Sequence, residues 1–230
     1  MSTSLIRLID VGFTYRTLSG LFSIEKYQAL KSINFEINPG ETLGVIGSNG
    51  SGKSTLLKVL ARIYKPDEGE IFYNANKISL LSLALGFDPR LSGFDNAILS
   101  SMLLGATLRV AKQKVAAIID FSELGEFASH SVRTYSSGMR ARLGFSVALN
   151  MHADVLLIDE ALAVGDAKFK AKSEKAIAEK VTSSQTVVLV SHSTAQINRL
   201  CDRAIWIEGG RIVQSGDTNV VTTAYAKANA

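Results

Sequence analysis

The sequence predicts an α/β fold, and three observations support this class. Residues 41–46 and 155–160 are short apolar runs typical of buried parallel strands, and the second run ends in two carboxylates. Residues 54–64 and 169–181 follow these strands with the apolar spacing of helices, so strands and helices alternate. Between the two strand–helix pairs, residues 95–127 have a helical pattern, which predicts a helical subdomain inserted into the α/β core.

Two further strands are predicted near the N terminus, at residues 5–9 and 33–37, and the second alternates apolar and polar side chains. Residues 17–23 between them predict an irregular hairpin loop in which Leu21 and Phe22 pack locally. Contact with a membrane or a partner through these two side chains is the alternative. The remaining predicted elements are strands at 70–73, 186–192, 204–208 and 211–214, a helix at 139–150 and a closing helix from 218.

These elements predict one domain over residues 1–230. Its α/β core and β subdomain take up about residues 1–84 and 150–230, and the helical subdomain about residues 85–149.

Composition restricts the possible functions. The chain has 230 residues, 47% hydrophobic and 20% charged, as is usual for a globular protein with a sizeable core. The net charge of +4 is modest and the basic residues are spread along the chain, so we expect no nucleic-acid partner. Cys201 is the single cysteine, which excludes an intrachain disulfide and fits a reducing compartment. No apolar run reaches the roughly 18–20 residues that span a bilayer, so a membrane function would act through a partner.

The strongest motif is a phosphate loop. Residues 47–54, Gly-Ser-Asn-Gly-Ser-Gly-Lys-Ser, match G-x-x-x-x-G-K-[ST] between a predicted strand and a predicted helix. Lys53 would bind the β- and γ-phosphates and assist catalysis, and the Ser54 hydroxyl would bind Mg²⁺. A plain glycine-rich turn before a helix does not require Lys-Ser at this point. The candidate nucleotide-binding residues here are Gly47, Ser48, Asn49, Gly50, Ser51, Gly52, Lys53, Ser54 and Thr55.

Three side chains at strand ends are candidates for the chemistry of hydrolysis. Asp159 follows four apolar residues, where a phosphate-loop enzyme places a carboxylate beside Mg²⁺. Glu160 would be the general base that orients the attacking water. His192 ends the next apolar strand and could hydrogen-bond the γ-phosphate or that water. The carboxylates could instead cap a turn and the histidine could be structural, but the upstream phosphate loop favours catalytic roles.

A fourth motif opens the helix predicted at residues 139–150. Residues 135–140 read Tyr-Ser-Ser-Gly-Met-Arg, and alone they indicate only a helix N-cap whose N–H groups can hold an anion. The four motifs together resemble the nucleotide-binding subunit of ATP-binding-cassette transporters over nearly the whole chain. In that family the signature reads Leu-Ser-Gly-Gly-Gln. Here Tyr135, Ser137 and Met139 replace the Leu, the first Gly and the Gln, while Ser136 and Gly138 stand at the phosphate-contacting positions.

The resemblance implies a P-loop NTPase (RecA-like) core with an N-terminal antiparallel β subdomain and an inserted α-helical subdomain. It also implies a head-to-tail homodimer in which each signature completes the ATP site of the other subunit. Asp166 matches the family's D-loop aspartate at the dimer contact. Tyr15 lies where the family places an aromatic ring on adenine, with Tyr27 as a rival and a core aromatic as the plain alternative.

One departure from the family pattern concerns the metal. The family's Q-loop carries a Gln bound to the Mg²⁺ and water network, whereas residues 78–95 contain no Gln. Residues 85–93, Leu-Gly-Phe-Asp-Pro-Arg-Leu-Ser-Gly, occupy that region instead. How Mg²⁺ coordination would be completed therefore stays open.

Residues 85–93, residues 135–139 with Arg142, and residues 159–166 together resemble one branch, the bacterial exporters of lipid-linked polysaccharide such as O-antigen, capsule or teichoic acid. The resemblance implies an ATPase with ATP and Mg²⁺ as cofactors, at the cytoplasmic face of the inner membrane. Two copies of a permease would be its partners and a lipid-linked polysaccharide the transported substrate.

Other classes remain as alternatives: the ATPase of an importer or of a lipid or drug exporter, a soluble ATPase acting on DNA or ribosomes, or a nucleotide sensor. The chain shows no second cassette, coiled-coil insertion or basic patch for the soluble class. Glu160 and His192 argue against a sensor that does not hydrolyse ATP.

Overall fold

The computed structural model describes residues 4–19, 23–81, 86–159, 166–181 and 184–229. The chain divides into two compact units. The first contains Met1–Ile78, Asp154–Glu160 and Val181–Ala230, and the second contains Ser79–Ala153 and Ala161–Lys180. Strands dominate the first unit and helices the second.

An antiparallel sheet of three strands lies near the N terminus. Its order is β2 (Ser23–Ile37), β1 (Ile6–Ser19) and β4 (Glu68–Tyr73). Ile6, Leu8 and Ile37 are among its fully buried side chains, as the alternation in the sequence predicts for a sheet with one face in the core.

The β1–β2 hairpin is longer than the sequence predicted. Leu18 pairs with Ile24 and Ser19 with Ser23, so residues 17–19 and 23 belong to paired strands and not to an irregular loop. Cross-strand hydrogen bonding extends the strands beyond the residues whose alternation the pattern could detect. Leu21 and Phe22 lie outside the described residues, so their predicted packing stays untested.

A second sheet forms the centre of the α/β core. Its six strands lie in the order β5 (Ile78–Leu81), β6 (Val155–Ile158), β7 (Thr186–Val190), β3 (Thr42–Ile46), β8 (Arg203–Glu208) and β9 (Arg211–Gly216). The pairs from β6 to β8 are parallel, and β8–β9 is an antiparallel hairpin. Every residue of β3, β6 and β7 is buried, which explains their continuous apolar sequences.

Three helices belong to the first unit: α1 (Lys53–Leu60), α6 (Thr194–Leu200) and α7 (Thr218–Ala228). Helix α1 ends four residues earlier than the predicted 54–64 segment, because Arg62 adopts a left-handed conformation with φ 59°.

The single cysteine, Cys201, is buried with its sulfur close to Gly44 of β3. Burial raises the pKa of the Cys201 thiol to about 12, with a further contribution from the Asp202 charge.

The second unit contains α2 (Gly93–Leu103), α3 (Leu108–Ser122), α4 (Ser137–Asn150) and nearly all of α5 (Ala167–Val181). Side chains of Ser92, Thr107 and Ser136 cap the first three of these helices. The cap at Thr107 begins a new helix, so the predicted helical stretch 95–127 is divided. The hydrophobic core of the second unit includes Ala97, Ile118, Leu124, Val132, Tyr135, Leu143 and Val147.

This architecture confirms the predicted α/β fold class with an antiparallel sheet near the N terminus and a helical part. Among the described residues, no helix is both long and apolar enough to cross a membrane.

Candidate active site

The carboxyl ends of four parallel strands meet at one edge of the second sheet. The registers pair Ile158 with Leu189, Val190 with Val45, and Ile46 with Trp206. The phosphate loop follows β3, Asp159 follows β6, and His192 lies two residues beyond β7. In open α/β sheets this edge is where ligands bind. The fold therefore brings together, within the first unit, three features that the sequence singled out separately.

Glycines shape the phosphate loop for two different reasons. A Cβ on Gly47 would lie 2.1 Å from the Ile207 carbonyl oxygen, and one on Gly52 would lie 2.6 Å from the Ala29 oxygen. Gly52 also has φ +110° and Gly50 has φ +80°, although a Cβ on Gly50 would meet nothing within 4 Å. The loop is thus packed tightly against its own protein at Gly47 and Gly52 and is open at Gly50.

The Lys53 ammonium lies over the loop that precedes its helix. Its Nζ donates hydrogen bonds to the carbonyl oxygens of Gly47 at 2.8 Å and Ser48 at 2.7 Å, and the residue is only 7% exposed. These contacts hold a cation at the N-terminal end of α1, where backbone N–H groups and the helix dipole also favour an anion. The arrangement is chemically suited to binding phosphate, which is the role predicted for Lys53.

Two hydroxyl groups of the loop fit the same chemistry. Ser51 Oγ is buried and makes no hydrogen bond among the described residues, so a ligand or a bound water could satisfy it. Ser54, the second residue of α1, is exposed. A hydroxyl and a carboxylate are hard oxygen donors of the kind that Mg²⁺ takes, and the residues predicted to hold it, Ser54 and Asp159, therefore fit that ion.

The Asp159 side chain is half-buried, directly after the buried strand β6. Glu160, the predicted general base, lies outside the described residues. His192 is exposed, and the turn that carries it is fixed by its neighbours: Ser193 N–H donates to Ser191 Oγ, which donates to Gln196 Oε1 at 2.7 Å. The catalytic roles of Glu160 and His192 stay predictions.

The two candidate adenine-stacking rings are cross-strand neighbours in the β1–β2 hairpin. Tyr15 is half-buried, its hydroxyl lies 3.1 Å from Thr55 Oγ1, and its ring meets Phe13 and Tyr64 edge-on. Tyr27 is 57% exposed and its hydroxyl donates to the Gly50 carbonyl at 3.1 Å. Both tyrosines therefore contact the phosphate-loop region, and the choice between them stays open.

The signature residues lie in the second unit. Ser136 caps α4, its Oγ accepting a hydrogen bond from Met139 N–H at 3.1 Å. Tyr135 is buried and donates to the Phe127 carbonyl at 2.7 Å, and burial raises the pKa of its phenol. A Cβ on Gly138 would meet only Ser136 Oγ, at an ordinary 3.8 Å. The protomer itself therefore does not require glycine at position 138.

Residues 86–93, which occupy the place of the Q-loop, are bonded to the segment before the signature. The Pro89 carbonyl accepts from Arg133 N–H at 2.8 Å, and the Leu91 carbonyl from Val132 N–H at 2.9 Å. Farther along the second unit, Asp166 is exposed and accepts from Phe169 N–H at 2.9 Å, so it caps α5. Its predicted dimer contact is untested.

One contact to the phosphate loop was not predicted from the sequence. Glu208, the last residue of β8, accepts hydrogen bonds from the hydroxyl and the N–H of Ser48. The two residues are 160 positions apart, so no local pattern could connect them.

A phosphate loop at the end of a buried parallel strand, with a carboxylate and a histidine at the ends of neighbouring strands, defines an ATPase of the phosphate-loop class. The family described as ABC transporter matches residues 30–163. The chain belongs to this family, and it is an ATPase of the ABC-transporter type that hydrolyses ATP.

Three curated relatives resemble the chain over most of its length. The O-antigen export system ATP-binding protein RfbB of Klebsiella pneumoniae is 41% identical over 96% of this chain and 90% of its own length. The protein of the same name from Myxococcus xanthus is 45% identical over 87% of this chain and 46% of its own. The teichoic acids export ATP-binding protein TagH of Bacillus cereus is 40% identical over 86% of this chain and 36% of its own.

Solved structures share the fold. A dimeric ATP-binding cassette in a post-hydrolysis state, bound to ADP and Pi, aligns with a TM-score of 0.74 at 24% identity over 93% of this chain and 98% of its own. An ATP-binding subunit of an ABC transporter aligns with a TM-score of 0.76 at 19% identity over 99% and 95% of the two chains. At these identities the likeness establishes the fold alone.

Proposed function

We propose that the chain drives export of a lipid-linked polysaccharide through a separate permease at the cytoplasmic face of the bacterial inner membrane. The observation that carries this proposal is the 41% identity, over 96% of this chain and 90% of the relative, to an O-antigen export ATP-binding protein. The similarity to a teichoic acids export ATP-binding protein supports the same substrate class.

In this function, the first unit binds ATP. Lys53 exchanges its bonds with the Gly47 and Ser48 carbonyls for bonds with the β- and γ-phosphates, which bring a stronger, charged acceptor. Ser54 and Asp159 would hold Mg²⁺, which would neutralise charge that develops on the transferred phosphoryl group. Glu160 orients the attacking water and His192 bonds the γ-phosphate or that water.

We further propose that ATP joins two copies of the chain, with Ser136 and Gly138 of one copy completing the site of the other. Support comes from the open surroundings of Gly138, because a small residue at a helix N-terminus lets an anion approach closely. The exposed position of Asp166 agrees with a role at the contact between the copies.

The second unit offers apolar side chains to a permease. Leu103 at the end of α2 is 62% exposed, and Met102 before it and Leu108, the first residue of α3, are also exposed. Phe94 and Phe127 are two further exposed apolar side chains of this unit. Apolar side chains that stay exposed in the protomer are available for contact with a partner, which is consistent with a membrane protein in that role.

The proposal is tested by deleting the gene and measuring the polysaccharide on the cell surface and the lipid-linked form inside the cell. We expect loss from the surface and accumulation inside, both restored by the wild-type gene and not by the Lys53→Ala variant. Unchanged surface polysaccharide in the deletion strain would contradict the proposed substrate, and an importer or a lipid exporter would then be favoured.

A further inference from the structure

The end of β8 and the turn that follows it contact the phosphate loop at three places. The Ile207 carbonyl lies against Gly47, so closely that no side chain fits there. Gly210 N–H donates to the Ser51 carbonyl at 3.0 Å. Between these backbone contacts, the Glu208 carboxylate accepts the hydroxyl and the N–H of Ser48, the latter at 3.4 Å. This segment therefore contacts the loop from its first residue, Gly47, to its fifth, Ser51.

The Glu208 carboxylate is in a defined environment. Trp206 Nε1 donates to its Oε2 at 3.4 Å, and Trp206 itself is buried with its ring edge-on to Tyr225. Partial burial alone would raise the pKa of Glu208, but the bonds from Ser48 and Trp206 and the Lys53 charge outweigh it and lower the pKa. The side chain is therefore ionised at neutral pH and accepts these bonds as a carboxylate.

Ser48 connects this carboxylate to the phosphate-binding lysine. Its side chain and N–H bond Glu208, while its carbonyl oxygen accepts the Lys53 ammonium at 2.7 Å. The bonds from Glu208 therefore fix the peptide groups on either side of Ser48, and with them the position of the carbonyl oxygen that holds the Lys53 ammonium. Preorganised loops bind more tightly because less ordering entropy is lost on binding.

We propose that Glu208 is a positioning residue of the ATP site, which acts through Ser48 to hold the phosphate loop in the conformation that receives the triphosphate. The site it serves is the ATP site already described, but nothing in the phosphate-loop motif assigns a role to this carboxylate. Its effect is on nucleotide binding and not on the hydrolysis step.

The test compares Glu208→Ala, Ser48→Ala, the double variant and Glu208→Gln by the KM for ATP, kcat, and the affinity for a fluorescent ATP analogue. We expect each alanine variant to raise KM about tenfold, the factor that a hydrogen bond to a charged group contributes, with kcat changed less than about twofold. The double variant should be no worse than Glu208→Ala, because the hydroxyl bond that Ser48→Ala removes is already absent without the Glu208 carboxylate.

Glu208→Gln distinguishes positioning from charge. A glutamine carbonyl still accepts the Ser48 hydroxyl, so we expect KM to return to within about threefold of wild type. The matched control is Glu70→Gln on β4, which removes an exposed carboxylate away from the loop and should leave KM unchanged.

Three results would overturn the proposal. The first is a wild-type KM in Glu208→Ala, even if its thermal stability falls, since that describes a purely structural residue. The second is tighter ATP binding in both Glu208 variants, which would make the residue a source of electrostatic repulsion. The third is additive losses in the double variant.

Discussion

The phosphate loop and the signature loop both lie at the N-terminus of a helix, yet their glycines are constrained differently. At Gly47 and Gly52 a Cβ would collide with a backbone oxygen of the same protomer. At Gly138 a Cβ would meet nothing closer than 3.8 Å. Packing within the protomer therefore requires glycine at positions 47 and 52 of the phosphate loop. Among the described residues, no contact within the protomer requires glycine at position 138.

The largest effect is expected for Gly47→Ala. The new Cβ would lie 2.1 Å from the Ile207 oxygen, so β3 and β8 must separate locally. We expect the free energy of unfolding in urea to fall by about 3 kcal/mol, the upper part of the range for overpacking, with loss of ATP binding. Gly50→Ala is the control for backbone strain alone and should cost about 1 kcal/mol of stability. Equal losses in both variants would mean that the clash is relieved easily.

Lys53→Ala should abolish function without comparable unfolding. The ammonium is held by two carbonyl oxygens, and its removal eliminates the charge that binds phosphate. ATP affinity, measured with a fluorescent analogue, should fall by about tenfold or more. Lys58→Ala, on the same helix but directed to the Tyr64 ring, is the control and should bind ATP normally. Normal ATP affinity in Lys53→Ala would refute the assignment of the phosphate loop.

Gly138→Ala tests the other side of the comparison. Because the space is free and alanine favours helices by about 1 kcal/mol over glycine, the stability of the protomer should stay the same or rise slightly. ATP binding to the protomer should also be unchanged, while ATP hydrolysis falls by about tenfold or more if a second copy's phosphate approaches this position. Full ATPase activity would remove position 138 from the proposed shared site.

The smallest effects concern the two tyrosines. Tyr15→Ala should weaken ATP binding by about threefold to tenfold, the range for a stacked aromatic contact, and Tyr15→Phe should largely retain binding because the ring remains. Tyr27→Ala should change affinity less, even though its ring is more exposed. The reverse order would assign the adenine contact to Tyr27.

The elements that could be predicted from the sequence are those whose signal lies in consecutive residues. Continuous apolar runs identified β3, β6 and β7 because both faces of these strands are buried. The phosphate loop was recognisable because its Gly, Lys and Ser residues are adjacent in sequence. These features were sufficient for the fold class and for the position of the candidate site.

The features that could not be predicted depend on contacts between residues far apart in sequence or on backbone conformation. The pairing of Leu18 with Ile24 extends the hairpin through residues that show no regular alternation of apolar and polar side chains. Arg62 ends α1 by adopting a left-handed backbone conformation, and an arginine in the sequence does not predict this conformation. Glu208 meets Ser48 only because β8 lies beside β3 in the sheet.

The buried Cys201 has a practical consequence. With its thiol pKa at about 12 and its side chain enclosed between α6 and β3, it is protonated and shielded at neutral pH. The folded chain should therefore behave toward maleimides as though it had no cysteine, so single cysteines can be introduced at Leu103 or Asp166 and labelled in a wild-type background. Labelling of Cys201 itself would report unfolding of the molecule.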